Sequence, residues 1–110
     1  MRLDQALPFR GEVAWLTSDQ GGRRSGPPPT PNNQDYAATA YVPPANVADG
    51  LASFVLRVAD GTSWRSEAEG AWLAVENEGV HWVDEGSVVV VTEGARPVAY
   101  FHVREVAAAP

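Results

Sequence analysis

The sequence predicts an all-β protein, a sandwich or barrel of six or seven short strands. Helical periodicity is hard to find along its 110 residues. Short runs rich in Val, Tyr, Phe, Trp and Thr recur instead between turn residues, the pattern of a sandwich or barrel. Val88-Val89-Val90-Val91 is an unbroken β-branched run of the kind that is buried on both faces.

The first strand is expected over about Gly11 to Ser18, with Val13, Trp15 and Thr17 on one face and Ala14 and Leu16 on the other. Asp19-Gln20-Gly21-Gly22 turns the chain. Residues 24–34 then form a long, mobile Pro-rich loop, because proline has no donor to give a sheet interior. A second strand runs from about Asp35 to Val42 and stops at Pro43-Pro44. In a third, Leu51 to Ala59, the residues Phe54, Leu56 and Val58 point inward, and Asp60-Gly61 closes it. Ser63 to Ser66 is a short pairing segment, and Ala71 to Glu76 is strand-like before the turn Asn77-Glu78-Gly79. Val80 to Val83 reads as a short strand. The Val88–Val91 strand then connects through Glu93-Gly94-Ala95-Arg96 to a last one, where Ala99, Phe101 and Val103 alternate with Tyr100, His102 and Arg104. These two form a hairpin. One domain over 1–106 is expected, followed by a frayed tail, 107–110.

Composition narrows the function classes. At 45% hydrophobic and 20% charged the chain is an ordinary globule. It has no cysteine, so disulfides, thiolate metal sites and cysteine nucleophiles are excluded, which fits a reducing compartment. No secretory signal is visible at Met1-Arg2-Leu3-Asp4-Gln5, and no apolar stretch approaches the roughly 20 residues of a membrane helix, so a cytoplasmic location is expected. The net charge of −6 comes from arginine against carboxylates, for there is no lysine. Eight acidic residues lie between Asp60 and Glu93 against the single Arg65, which suggests an acidic face and opposes a phosphate backbone.

Two segments at opposite ends of the domain carry a resemblance. Gly11-Glu12-Val13-Ala14-Trp15-Leu16-Thr17-Ser18-Asp19-Gln20-Gly21-Gly22-Arg23 is similar to the opening strand and Gly-Gly-Arg loop of the C-terminal, third-domain barrel of elongation factor Tu. Gly86-Ser87-Val88-Val89-Val90-Val91-Thr92-Glu93-Gly94-Ala95-Arg96, with the strand to Val106, resembles that family's closing hairpin and its Glu-Gly-x-Arg turn. The resemblance implies a closed six-stranded antiparallel Greek-key barrel of the translation-factor type, here as a stand-alone relative. It also implies contact with the T stem of transfer RNA. The sequence departs from the family where a Tyr-Arg-Pro-Gln-Phe-like strand start is replaced by Asn32-Asn33-Gln34-Asp35-Tyr36, and residues 61–78 have no counterpart. No Gly-x-x-x-x-Gly-Lys-[Ser/Thr] phosphate loop occurs, so no nucleotide is expected.

No catalytic residues, metal ligands or cofactor are expected. His81 and His102 lack a neighbouring His or Cys at ligand spacing. A small hydrolase would have to draw on Ser63, Ser66 or Ser87 with one of these histidines, and no strained nucleophile turn surrounds them. Glu67 and Glu69, like Glu76 and Glu78, are two apart and would share a strand face. The binding candidates are Gly21, Gly22, Arg23 and Arg24 on the first loop, Trp64 and Trp82 as exposed aromatics, and Glu93 and Arg96 on the hairpin turn. The leading expectation is therefore a non-enzymatic module for a protein partner, using the Gly21–Gln34 loop or the acidic face. An RNA-binding accessory of translation is the alternative, suggested by the resemblance and opposed by the charge.

Overall fold

The computed structural model describes residues 7–24, 26–27, 35–73 and 79–107. Most of the expected Pro-rich loop, the pair Glu76 and Glu78, and residues 108–110 lie outside these. Six strands form the fold: β1 Phe9–Trp15, β2 Asp35–Tyr41, β3 Ala52–Val58, β4 Arg65–Trp72, β5 Val88–Glu93 and β6 Arg96–Val106. All pair antiparallel and close into a barrel in the order β1-β4-β3-β2-β5-β6, so no edge is left to pair with another chain. Among the described residues only three short 3-10 turns are helical, and no helix is long and apolar enough to cross a membrane.

Period-two alternation fills the interior. Val13 and Trp15 of β1, Phe54, Leu56 and Val58 of β3, Val89 and Val91 of β5, and Ala99, Phe101 and Val103 of β6 are all buried in one cluster. Phe54 lies at its centre, stacked on Phe9, tilted against Phe101 and edge-on to Trp72 at 4.9 Å between centroids. Val55 faces out of the barrel yet is fully buried, because Leu7 and Ala71 cover it.

Three expectations change. The first strand begins at Phe9 and ends at Trp15, so Thr17 leaves the sheet and its carbonyl accepts from Gln20 and Gly22 instead. Among the described residues, the fragments expected at Ser63–Ser66 and from Ala71 onward are one strand, β4, in which Ser66, Ala68, Gly70 and Trp72 face inward and Glu67 points out. Of these, Gly70 carries no side chain because the rings opposite it are large. A Cβ on Gly70 would come within 2.8 Å of Phe54 and 2.9 Å of Phe101. Finally, the strand expected at Val80–Val83 is a 3-10 turn, Gly79–His81, entered through Gly79 at φ +58°.

A buried ion pair locks the start of β2. Asp35, whose side chain is fully buried, accepts from Arg57 of β3 at 2.8 and 3.0 Å. The aligned fork is the geometry that offsets the desolvation of both groups. The expected tail begins anchored, since Ala107 N donates to Pro8 O at 2.8 Å.

Candidate interaction surfaces

Antiparallel closure gives the barrel two ends, and the candidate residues divide between them. One end collects the finish of β1, β3 and β5 with the starts of β2, β4 and β6. There the 3-10 turn Ser18–Gln20 passes through Gly21 in the left-handed region, at φ +86°. Gly22 then packs so tightly that a Cβ would lie 2.3 Å from Leu16 O. Each glycine of the pair thus has a separate steric reason.

This turn delivers Arg23 to the hairpin turn at the far end of the sequence. Arg23 Nε meets the Glu93 carboxylate at 3.0 and 3.2 Å, and Arg23 Nη1 donates to Gly26 O at 2.8 Å. Glu93 Oε2 also accepts from the Tyr36 hydroxyl. Burial and that hydrogen bond to a carboxylate both push the Tyr36 pKa well above the usual tyrosine range. Tyr36 in turn lies against Trp15, ring centroids 5.4 Å apart, and Trp15 N donates to Trp64 O at 2.9 Å. Gly26 faces the Trp64 ring, where a Cβ would come within 3.3 Å. Gly21, Gly22, Arg23, Glu93 and Trp64 are therefore neighbours. Arg24 and Arg96 are exposed beside them. The Arg23 guanidinium is already held by Glu93 and Gly26 O, so an incoming phosphate would have to compete with Glu93 for its charge.

Trp82 lies at the opposite end. Trp64 and Trp82 are both exposed, at 45% and 56%, and they belong to two surfaces rather than one. The Gly79–His81 turn is pinned from below: Trp72 Nε1 donates to His81 O at 3.0 Å, the Trp72 and His81 rings meet edge-on, and Val83 is buried in the core. Val80 and Trp82 are left pointing outward. Opposite them, the loop after β2 carries Val42, the cis-linked Pro43 and Pro44, and Ala45. Between the two segments runs a groove of about 550 Å³, with Asp49 and Ser87 as its polar lining. The sequence offered Trp82 as an exposed aromatic; nothing in it announced Pro43-Pro44 as the facing wall.

Among the described residues the acidic run does not form one acidic face. Glu67 and Glu69 on β4 are paired with Arg104 and Arg10, and Glu12 on β1 with Arg65. Asp60 caps its own turn by accepting from Thr62 N and Oγ1, which holds its carboxyl below the usual range. Alternation and antiparallel pairing interleave the two signs. Of the run's described carboxylates Asp84 and Glu85 remain, on the turn that leads to Ser87 and the groove.

The three serines are engaged in the backbone. Ser63 and Ser66 donate to the carbonyls of Arg65 and Glu67, and Ser87 Oγ accepts from Asp84 N. No serine–histidine bond is made among the described residues. His102 is exposed on β6, and no three His, Asp or Glu side chains among the described residues gather as metal ligands. Set against protein-family models, curated proteins and solved structures, the chain matches none.

Proposed function

We propose that this chain is a non-enzymatic cytoplasmic interaction module, built on a Greek-key barrel like the third domain of elongation factor Tu, and that its partner is a protein. The observation that carries the reading is the pinned Gly79–His81 turn, which holds Val80 and Trp82 out over an apolar groove. Exposing a tryptophan and a valine on a rigid turn costs solvation, and such aromatic anchors are where binding energy concentrates. The strand order supports the barrel type: β2, β3 and β4 form a meander, and β5 returns beside β2. The resemblance gains support from contact between its two motifs, since Arg23 and Glu93 meet across 70 positions of sequence.

The RNA reading is second. Its two best phosphate contacts would be Arg23, which Glu93 neutralises, and Arg24. Two arginines on a chain of net charge −6 give little affinity for a duplex.

Photo-cross-linking in the native host distinguishes the two. A benzophenone amino acid at position 80 should yield a discrete protein adduct that disappears with Trp82→Ala, while one at position 24 should not. An adduct from either position that ribonuclease removes would overturn the protein reading in favour of RNA.

A further inference from the structure

We infer that the groove at the Trp82 end takes an extended peptide segment of another protein, in which an arginine or lysine stands beside an apolar residue. This rests on the protein-partner reading and adds the chemistry of the partner. The walls are apolar: Pro43 and Pro44 on one side, Val80 and Trp82 on the other. They suit aliphatic side chains. The charge around them has one sign. Asp49 lines the groove, and Asp84 is tied to Ser87 by two hydrogen bonds, Asp84 N to Ser87 Oγ at 2.9 Å and Ser87 N to Asp84 O at 3.0 Å. Glu85 follows it in the same turn. Among the described residues no arginine lines the groove.

These carboxylates keep acceptor capacity. Asp49 Oδ2 accepts from Asn46 N, and Asp84 Oδ1 accepts from Glu85 N, so each has its second oxygen for a ligand. The exposed indole of Trp82 adds a negative π-face, the preferred aromatic platform for a guanidinium or ammonium. An aromatic face with two carboxylates nearby and an apolar floor is complementary to a cation on a hydrophobic neighbour. A second copy of this chain is a poor occupant, since it too carries −6 and would bring carboxylates to carboxylates. The barrel is closed, so the segment docks through side chains and not by adding a strand.

Random 12-residue peptides displayed on phage, selected against the whole chain, test this. Enriched sequences should carry Arg or Lys within about three positions of an apolar residue. Synthesised and titrated, they should lose about thirtyfold in affinity with Trp82→Ala. Asp49→Asn together with Asp84→Asn should cost about fivefold and flatten the salt dependence. Both asparagines retain an acceptor for the local backbone donors, and circular dichroism confirms that the barrel survives. Enrichment of acidic or uncharged peptides, affinity indifferent to Trp82→Ala, or no enrichment would each overturn the inference. Uncharged apolar peptides seated on Trp82 would do so while leaving the protein-partner reading intact. A ribonuclease-sensitive adduct from position 80 would instead sink that reading itself.

Discussion

Gly70→Ala should destabilise the barrel, although alanine is ordinarily the better residue in a folded chain. Gly70 sits on the inner face of β4, where an added Cβ would lie 2.8 Å from Phe54 Cζ and 2.9 Å from both Phe54 Cε2 and Phe101 Cε2. Carbon atoms prefer roughly 3.5–4.0 Å, so one or both rings must retreat by about 0.6–1.2 Å. Neither has room. Phe54 is wedged between Phe9, Trp72 and Phe101, and both it and Phe101 have no exposed surface. Overpacking of this kind costs about 1–3 kcal/mol. Replacing glycine returns about 0.4–1 kcal/mol by restricting the unfolded chain. The net loss is about 1–2 kcal/mol, which lowers Tm by about 4–8 °C in a domain of this size. Calorimetry reads the shift, and a double-mutant cycle identifies its cause. Phe101→Leu should be tolerated better in the Gly70→Ala background than alone, with a coupling of about 1 kcal/mol. An unchanged or raised Tm with no coupling would mean that Gly70 does not face the two rings, and the β4 register would be wrong.

Three further outcomes are expected. Asp35→Ala removes the partner of a largely buried guanidinium, so urea denaturation should show a loss of about 3 kcal/mol; a change below about 1 kcal/mol would place the pair in solvent. The Tyr36 proton is held more tightly in the folded than the unfolded state, so its contribution is complete below the ordinary tyrosine pKa of about 10 and declines as pH rises through the elevated folded value. Tyr36→Phe should therefore flatten the alkaline fall in stability, and an identical pH profile in the variant would remove the Tyr36–Glu93 bond from the account. Transfer RNA should bind weakly, with a log–log salt slope no steeper than about −2, and Arg23→Ala with Arg24→Ala should abolish it. Submicromolar affinity near physiological salt, lost in that double variant, would make RNA the leading reading.

The parts of the fold that were legible are those where alternation is written in large side chains. Val89 and Val91, and then Ala99, Phe101 and Val103, announce their inner face directly, and the structure places them in the core. Strand β4 shows the converse. Three of its inward residues, Ser66, Ala68 and Gly70, are too small to register as an apolar stripe, and the bare Gly70 is explained only by Phe54 and Phe101 arriving from β3 and β6. A strand that makes room for its neighbours hides its own period. Val80-His81-Trp82-Val83 misleads in the opposite way: its residue types favour a strand, yet Gly79 at positive φ and the bond from Trp72 to His81 O wind it into a turn.

Site residues divide along the same line between what one segment carries and what two must build. The Gly-Gly-Arg and Glu-Gly-x-Arg motifs were visible separately, but the sequence could not say that Arg23 would spend its charge on Glu93. Nor does a count of acids reveal a surface. Eight carboxylates between Asp60 and Glu93 read as an acidic face, yet strand alternation sets Glu67 and Glu69 among arginines of β1 and β6. What survives that cancellation decides the partner more than the net charge does, because screening confines an exposed carboxylate to a range of about 10 Å. Among the described residues, three carboxylates outside any arginine pair, Asp49, Asp84 and Glu85, come from loops beyond β2 and before β5, and barrel closure brings both loops to the end where Trp82 is exposed. An anionic rim around an exposed indole is thus a product of topology. It is also the arrangement that substitution at Asp49 and Asp84 perturbs without touching the core.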